Sequence, residues 1–119
     1  MKLYLDDIRP APEGWTLVKT VAEAKDLIVN ETVEEASLDH DLGACVDCMG
    51  GKTIEQWLEE TAYQNAPHCS HVGTGYDLCL WMAETGHWPT NKPVVHSMNP
   101  VGRERMQGVI ERYFPKDDV

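Results

Sequence analysis

Short apolar runs alternate along the chain with stretches in which apolar residues recur every three or four positions. Lys2-Leu3-Tyr4-Leu5 is a strand-like run that stops at two carboxylates, Asp6 and Asp7. A loop marked by Pro10, Pro12 and Gly14 follows, and Thr16-Leu17-Val18-Lys19 is a second short strand. Thr20 with Glu23 has the spacing of a capping box, in which a hydroxyl and a carboxylate satisfy free backbone N–H groups at a helix start. Val21, Ala24, Leu27 and Ile28 then form one apolar stripe. Ala36-Ser37-Leu38 predicts a third strand ending in Asp39-His40-Asp41, and Gly43 breaks the chain after it. Thr53 with Gln56 repeats the capping pattern, and Ile54, Trp57, Leu58 and Ala62 continue it with helical periodicity. Another helix is predicted after Thr74, carrying Leu78, Trp81 and Met82. Lys92-Pro93-Val94-Val95 leads into a fourth strand that ends at His96-Ser97. Asn99 caps and Pro100 opens a last helix, with Met106, Val109, Ile110 and Tyr113 inward.

Strands alternating with helices imply an α/β domain built on a parallel sheet with helical crossovers. Such sheets bind ligands beyond the carboxyl ends of their strands. Here those ends carry Asp6-Asp7, Asp39-His40-Asp41 and His96-Ser97. The chain's 119 residues are one domain's worth, and residues 1–119 are read as a single domain with a loose tail from Lys116. No apolar run approaches the length a bilayer demands, so the expectation is a soluble cytoplasmic protein with no membrane partner. Twenty acidic residues against ten Lys plus Arg give a net charge of −10. That balance argues against an extended nucleic-acid surface, because phosphate backbones are gripped by Lys and Arg. It leaves room for a small phosphorylated ligand or nucleotide held with the help of metal ions.

Asp6, Asp7 and Asp39 converge if the first and third strands are neighbours. Several carboxylates in one pocket repel each other and call for a cation, and all-oxygen ligation suits a hard ion such as Mg²⁺, with Mn²⁺ as its substitute. His40 and His96 have near-neutral ordinary pKa values suited to moving protons. The last helix begins at the same edge, so its N–H groups and positive dipole end attract an anion. Arg103 in its first turn and Arg9 after the Asp pair are candidate phosphate ligands, and with Asn99 and Asp41 they make up the expected substrate-binding residues. Trp57 and Trp81 fit core faces, and Trp15 and Trp88 lie in loops.

Three motifs also carry a resemblance. Leu5-Asp6-Asp7-Ile8-Arg9-Pro10, Leu38-Asp39-His40-Asp41-Leu42-Gly43 and His96-Ser97-Met98-Asn99-Pro100-Val101-Gly102-Arg103 resemble, in order, those of the cyclic-phosphate-processing receiver family, a branch of the response-regulator receiver domains. Gly73-Thr74-Gly75-Tyr76-Asp77 fits as well. The resemblance implies a flavodoxin-like three-layer sandwich, here with a sheet truncated to four parallel strands. It gives Asp6 and Asp7 the metal role, Asp39 the place of the phospho-acceptor and Ser97 that of the strand-end hydroxyl. A receiver's fifth strand and its Lys find no match, and His40 and His96 are additions a phosphate switch does not need. Together these imply a metal-dependent phosphoesterase, a hydrolase acting on cyclic or terminal phosphates of nucleotides or RNA ends. Asp39, His40, His96 and Ser97 would be its catalytic groups. The alternative is a non-catalytic receiver-like module that binds a phosphorylated ligand or partner in signalling.

Cys45-Val46-Asp47-Cys48 is a C-x₂-C pair, and His68-Cys69-Ser70-His71 adds further soft ligands. Two thiols on a knuckle joined by a later Cys and His match a tetrahedral structural zinc site. Cys45, Cys48, Cys69 and His71 are the expected ligands, with His68 the alternative fourth. A Cys45–Cys48 disulfide is the rival, disfavoured in a reducing compartment. Cys79, on the apolar side of its helix, reads as a buried small hydrophobe. Residues 44–72 therefore read as an insertion stapled by zinc between the third strand and the next helix. Metal analysis of purified protein should find about one zinc per chain, and its removal by a chelator should lower the melting temperature.

Overall fold

A computed structural model describes residues 1–42 and 72–115, together with positions 50, 52, 53, 56 and 59. Its elements run in the order β1 (Lys2–Leu5), β2 (Thr16–Val18), α1 (Val21–Asn30), β3 (Glu35–Leu38), α2 (Gly75–Thr85), β4 (Val94–Val95) and α3 (Pro100–Tyr113). The strands form one parallel sheet in the order β2-β1-β3-β4. The sequence expectation of an α/β domain with four parallel strands is met, and β1 and β3 are neighbours.

The helix starts follow from their caps. At α2, Thr74 Oγ1 accepts from Asp77 N–H while the Asp77 carboxylate accepts from Thr74 N–H, a complete capping box. Thr53 and Gln56 make the same reciprocal pair. At α1 the box is half made. Thr20 accepts from Glu23 N–H, but the Glu23 carboxylate takes the Thr20 hydroxyl instead of the backbone N–H. Asn99 Oδ1 accepts from Gly102 N–H at α3, with Pro100 in the first turn, where its missing N–H costs no helical bond. Gly86 ends α2 in the left-handed conformation, φ +74°.

The core lies on one side of the sheet. Leu3, Leu5, Val18, Ala36, Leu38 and Val95 project from the strands into a single cluster with Val21, Ala24 and Ile28 of α1, Leu78, Cys79 and Met82 of α2, and Met106 and Ile110 of α3. Cys79 is fully buried, and burial pushes its thiol up to about 12, as expected of an inert core residue. Trp81 packs against this cluster, with the Lys25 ammonium over its ring and His87 stacked on it. Trp57 lies outside the described residues.

The opposite face carries Lys2, Tyr4, Leu17, Glu35, Ser37 and Val94, which alternate with the core residues along each strand. Leu17 and Val94 on it are exposed. Among the described residues the domain therefore has two layers, where three were expected. The connection from β1 to β2, residues 6–15, carries no helix. Pro10 and Pro12 remove backbone donors from it, Gly14 turns it at φ +86°, and Trp15 N–H closes the turn on the Pro12 carbonyl.

Gly75 has the least room for a side chain among the described glycines. Its N–H donates to the His40 carbonyl, and a Cβ there would collide with the main-chain carbonyl of Asp39 and with the Met106 side chain. Gly108, on the exposed side of α3, has open space around its Cβ position. Gly75→Ala should destabilise the protein by about 2–3 kcal/mol through overpacking against backbone, whereas Gly108→Ala should stabilise it by about 0.5–1 kcal/mol. Urea denaturation midpoints of the two variants would show opposite shifts.

Candidate functional site

The carboxyl edge of the sheet gathers most of the expected residues. A cleft of about 230 Å³ is lined by Asp6, Ile8, Arg9, Asp39, Asp41, Met98 and Asn99. Oxygens of Asp6, Asp7 and Asp39 lie within 4.8 Å of one another. Their positions follow from chain direction, since Asp6-Asp7 leaves β1 and Asp39 leaves its neighbour β3 at the same level of the sheet.

The three carboxylates differ in what they already hold. Asp6 is fully buried, yet its Oδ1 accepts from Ile8 N–H and Arg9 N–H, each at 2.9 Å. Its Oδ2 meets Arg9 Nη1 and His96 Nε2, also at 2.9 Å. Four donors fill the acceptor capacity of an ionised carboxylate. Burial alone would raise the pKa of Asp6, but these hydrogen bonds outweigh it and hold the group below its ordinary value. Asp7 is the reverse. Its Oδ1 is buried with no partner, and burial, together with the charges of Asp6, Asp39 and Asp41, pushes its pKa up to about 6. Asp39 is also raised, by burial and then by Asp6, although His40 N–H and the Ser97 hydroxyl stabilise its charged form. Its Oδ2 lies 3.7 Å from Arg9 Nη1.

An orphaned carboxylate oxygen beside a second strained carboxylate fits a hard divalent cation. Asp7 and Asp39 have the free capacity for it, and Asp6 does not.

Ser97 sits at 3% exposure behind Asp39 and accepts from Asn99 N–H at 3.1 Å. Asn99 Nδ2 points at the Asp41 carboxylate, 3.4 Å from each oxygen. Arg103 lines an adjoining cavity of about 260 Å³ that shares Met98 and includes Ser97.

The two imidazoles do not face one another. His40 turns toward α3, where its ring takes the space a Cβ of Gly102 would need, and its Nδ1 lies 2.8 Å from Asp41 Oδ1. His96 turns to the sheet face on which no described helix packs, called here the helix-free face, where its ring packs on Tyr4 at 4.4 Å between centroids and its Nδ1 lies 2.7 Å from Ser37 Oγ. Each reaches the cleft through a carboxylate: His40 through Asp41 and His96 through Asp6. Cys45, Cys48, His68, Cys69 and His71 lie outside the described residues.

A family model described as the cyclic-phosphate processing receiver domain matches residues 1–112. The chain belongs to this family. No curated protein and no solved structure matches it. As in the family resemblance drawn from the sequence, the acidic pair follows β1, Asp39 follows β3 and Ser97 follows β4 in this receiver domain. Sequence reasoning missed Ser37 and Tyr4, which hold His96, and Gly75 and Gly102, which admit Asp39 and His40 to their helices. Strand parity was the available signal, because Ser37 lies two residues before Asp39 and Tyr4 two before Asp6 on one face.

The folded-state pKa of Asp7 lies above its ordinary 3.8, so the folded protein keeps a proton that the unfolded chain loses between those pH values. Stability therefore falls as pH rises through about 4 to 6, and the penalty is complete above that window. Moving from 3.8 to about 6 caps the effect near ~3 kcal/mol, and partial exposure to solvent reduces it to about 1 kcal/mol. Asp7→Asn should be more stable than wild type near pH 7.5 without divalent ions by about that amount, and equal near pH 4. Mg²⁺ should raise the melting temperature of the wild type and leave that of the variant unchanged.

Proposed function

We propose that this receiver domain is a metal-dependent phosphoesterase acting on cyclic or terminal phosphates of nucleotides or RNA ends. The observation that carries the reading is the unpartnered, buried Asp7 Oδ1, from a carboxylate grouped within 4.8 Å of those of Asp6 and Asp39, next to the cleft that Asp39 and Arg9 line. Asp7 and Asp39 would hold Mg²⁺ or Mn²⁺ directly, with Asp6 behind them. When bound, the ion supplies Lewis-acid polarisation of a phosphoryl oxygen. Arg9 and Asn99 line the cleft and hold phosphate oxygens, and Arg103 reaches them from the adjoining cavity. Ser97 fixes Asp39. His40, with Nδ1 committed to Asp41, keeps the lone pair of its neutral ring at Nε2 and is assigned proton transfer. His96 has both ring nitrogens engaged and holds Asp6 in place.

Asp39 is also a candidate nucleophile. Its Oδ2 would attack phosphorus, displace the ester oxygen and leave an acyl phosphate for water to hydrolyse.

A structural zinc on Cys45, Cys48, Cys69 and His71, with residues 44–72 as the insertion it staples, and a cytoplasmic setting complete the proposal. Its basis is the C-x₂-C…C-x-H spacing. Among the described residues no helix is long and apolar enough to cross a membrane.

One observation favours a second reading, a non-catalytic module that binds a phosphorylated ligand: neither imidazole is among the residues lining the cleft. Incubation with 2′,3′-cyclic nucleotides and Mn²⁺, followed by chromatography of the recovered ligand, separates the two. Turnover is expected. It should fall by roughly 10²–10⁴-fold in His40→Ala, the usual worth of a positioned acid–base group, and be abolished in Asp39→Ala. Binding with quantitative recovery of intact ligand would establish the module instead.

A further inference from the structure

We infer that Ser37 is a positioning residue that fixes the orientation of the His96 ring, whose tautomer Asp6 sets, and, through it, the Asp6–Arg9 arm of the cleft. Ser37 lies in β3 on the helix-free face, level with Tyr4 and Val94 of the neighbouring strands. Its Oγ is 2.7 Å from His96 Nδ1, and His96 Nε2 is 2.9 Å from Asp6 Oδ2. The Tyr4 ring, tilted at 42° to the imidazole, closes the third side.

The hydrogen positions follow from chemistry. An ionised carboxylate only accepts, so His96 Nε2 must carry a hydrogen to bond Asp6. The neutral ring then has its lone pair at Nδ1, where the Ser37 hydroxyl donates. Asp6 Oδ2 is shared between His96 and Arg9 Nη1, and that guanidinium nitrogen is 3.7 Å from Asp39 Oδ2. A serine on the open face is thus linked by three polar contacts to the guanidinium that faces the phosphate.

Serine, histidine and aspartate here have the connectivity of a nucleophilic triad, but β3 is paired on both sides. Its amides are used in the sheet ladder and cannot form the oxyanion hole that acyl transfer needs. Ser37 therefore orients and does not attack.

The kinetic consequence rests on the phosphoesterase reading, and the hydrogen bond from Ser37 to His96 does not. Ser37→Thr and Ser37→Val compare side chains of equal shape, both suited to a strand, that differ in the hydroxyl. Long-range ¹H–¹⁵N spectra of the full chain, labelled at histidine, are recorded near pH 8.5, about two pH units above the ordinary imidazole pKa. Wild type, Ser37→Thr and Ser37→Val should all show the Nε2–H tautomer that Asp6 demands, but the Nδ1 resonance should be shifted upfield by the hydroxyl's hydrogen bond in wild type and Ser37→Thr and lose that shift in Ser37→Val. With Mn²⁺ and a 2′,3′-cyclic nucleotide, Ser37→Val should lose roughly 10–100-fold in kcat at unchanged KM, the usual cost of an outer-shell partner. Ser37→Thr should restore it. An Nδ1 resonance in Ser37→Val unmoved from that of wild type overturns the inference. Absent turnover in the wild type overturns the phosphoesterase reading, and the Nδ1 comparison still decides the role of Ser37.

Discussion

Four hydrogen bonds converge on the buried carboxylate of Asp6, and the architecture of the sheet edge depends on them. Burying an ionised carboxyl group is costly unless its oxygens are fully paired. Here the donors come from the following loop, through Ile8 and Arg9 N–H, from a nearby cation, through Arg9 Nη1, and from a distant strand, through His96. One side chain thereby fastens the start of the β1–β2 connection to the end of β4 across the intervening β3. The same saturation divides labour within the acidic pair. Asp6 is spent on structure, and its neighbour Asp7, with a buried oxygen lacking any donor, carries the unmet electrostatic demand. A pair of adjacent aspartates looks uniform in sequence and is sharply unequal in the fold.

That division is possible because the β1–β2 connection is a proline-marked loop with no helix. A crossover helix on that side would cover the strip formed by Tyr4, Ser37 and His96. Instead the loop folds back on Asp6, and Trp15 at its end meets the edge of the Tyr4 ring, 6.3 Å between centroids. The core does not suffer, because strand alternation sends Leu3, Leu5, Ala36 and Leu38 to the other side, under α1, α2 and α3. The polar strip on the helix-free face and the apolar cluster beneath the helices are two consequences of one period-two pattern.

Much of this was legible before any coordinates. Each strand and helix of the described residues answers to an apolar run or a cap, and the strand-end carboxylates meet because parallel strands end together. The resemblance implied a third layer, although the loop legible at Pro10, Pro12 and Gly14 leaves no crossover helix between β1 and β2 to build it. The direction of each imidazole was hidden. His40 and His96 both follow strands, but which way a side chain turns depends on which face the helices cover and on where a neighbouring glycine makes room. Gly102 makes that room for His40. Ser37 was invisible for a plainer reason: one serine in a strand has no motif, and its meaning comes from a histidine 59 residues later. The half-made box at Thr20 shows the same limit, since spacing predicts that Glu23 returns to the cap but not which donor it takes.

The charges of the cleft also bear on how an acidic protein holds an anion at all. With a net charge of −10, the long-range field opposes phosphate, so attraction has to be local. Asp6 is balanced by Arg9, and Asp41 is paired with His40 and approached by Asn99. Asp7 and Asp39 remain as two carboxylates raised by burial, Asp7 further by the charges of Asp6, Asp39 and Asp41 and Asp39 further by that of Asp6. A proton relieves one of them below about pH 6, and a divalent cation would relieve both at neutral pH. Only in the second case are both carboxylates offset, with Arg9 already matched to Asp6 and the N-terminus of α3 left positive toward solvent. The acidic cluster thus repels phosphate when empty and would accept it once a cation is present, so cation and phosphate binding should be thermodynamically coupled, each strengthening the other by the same factor.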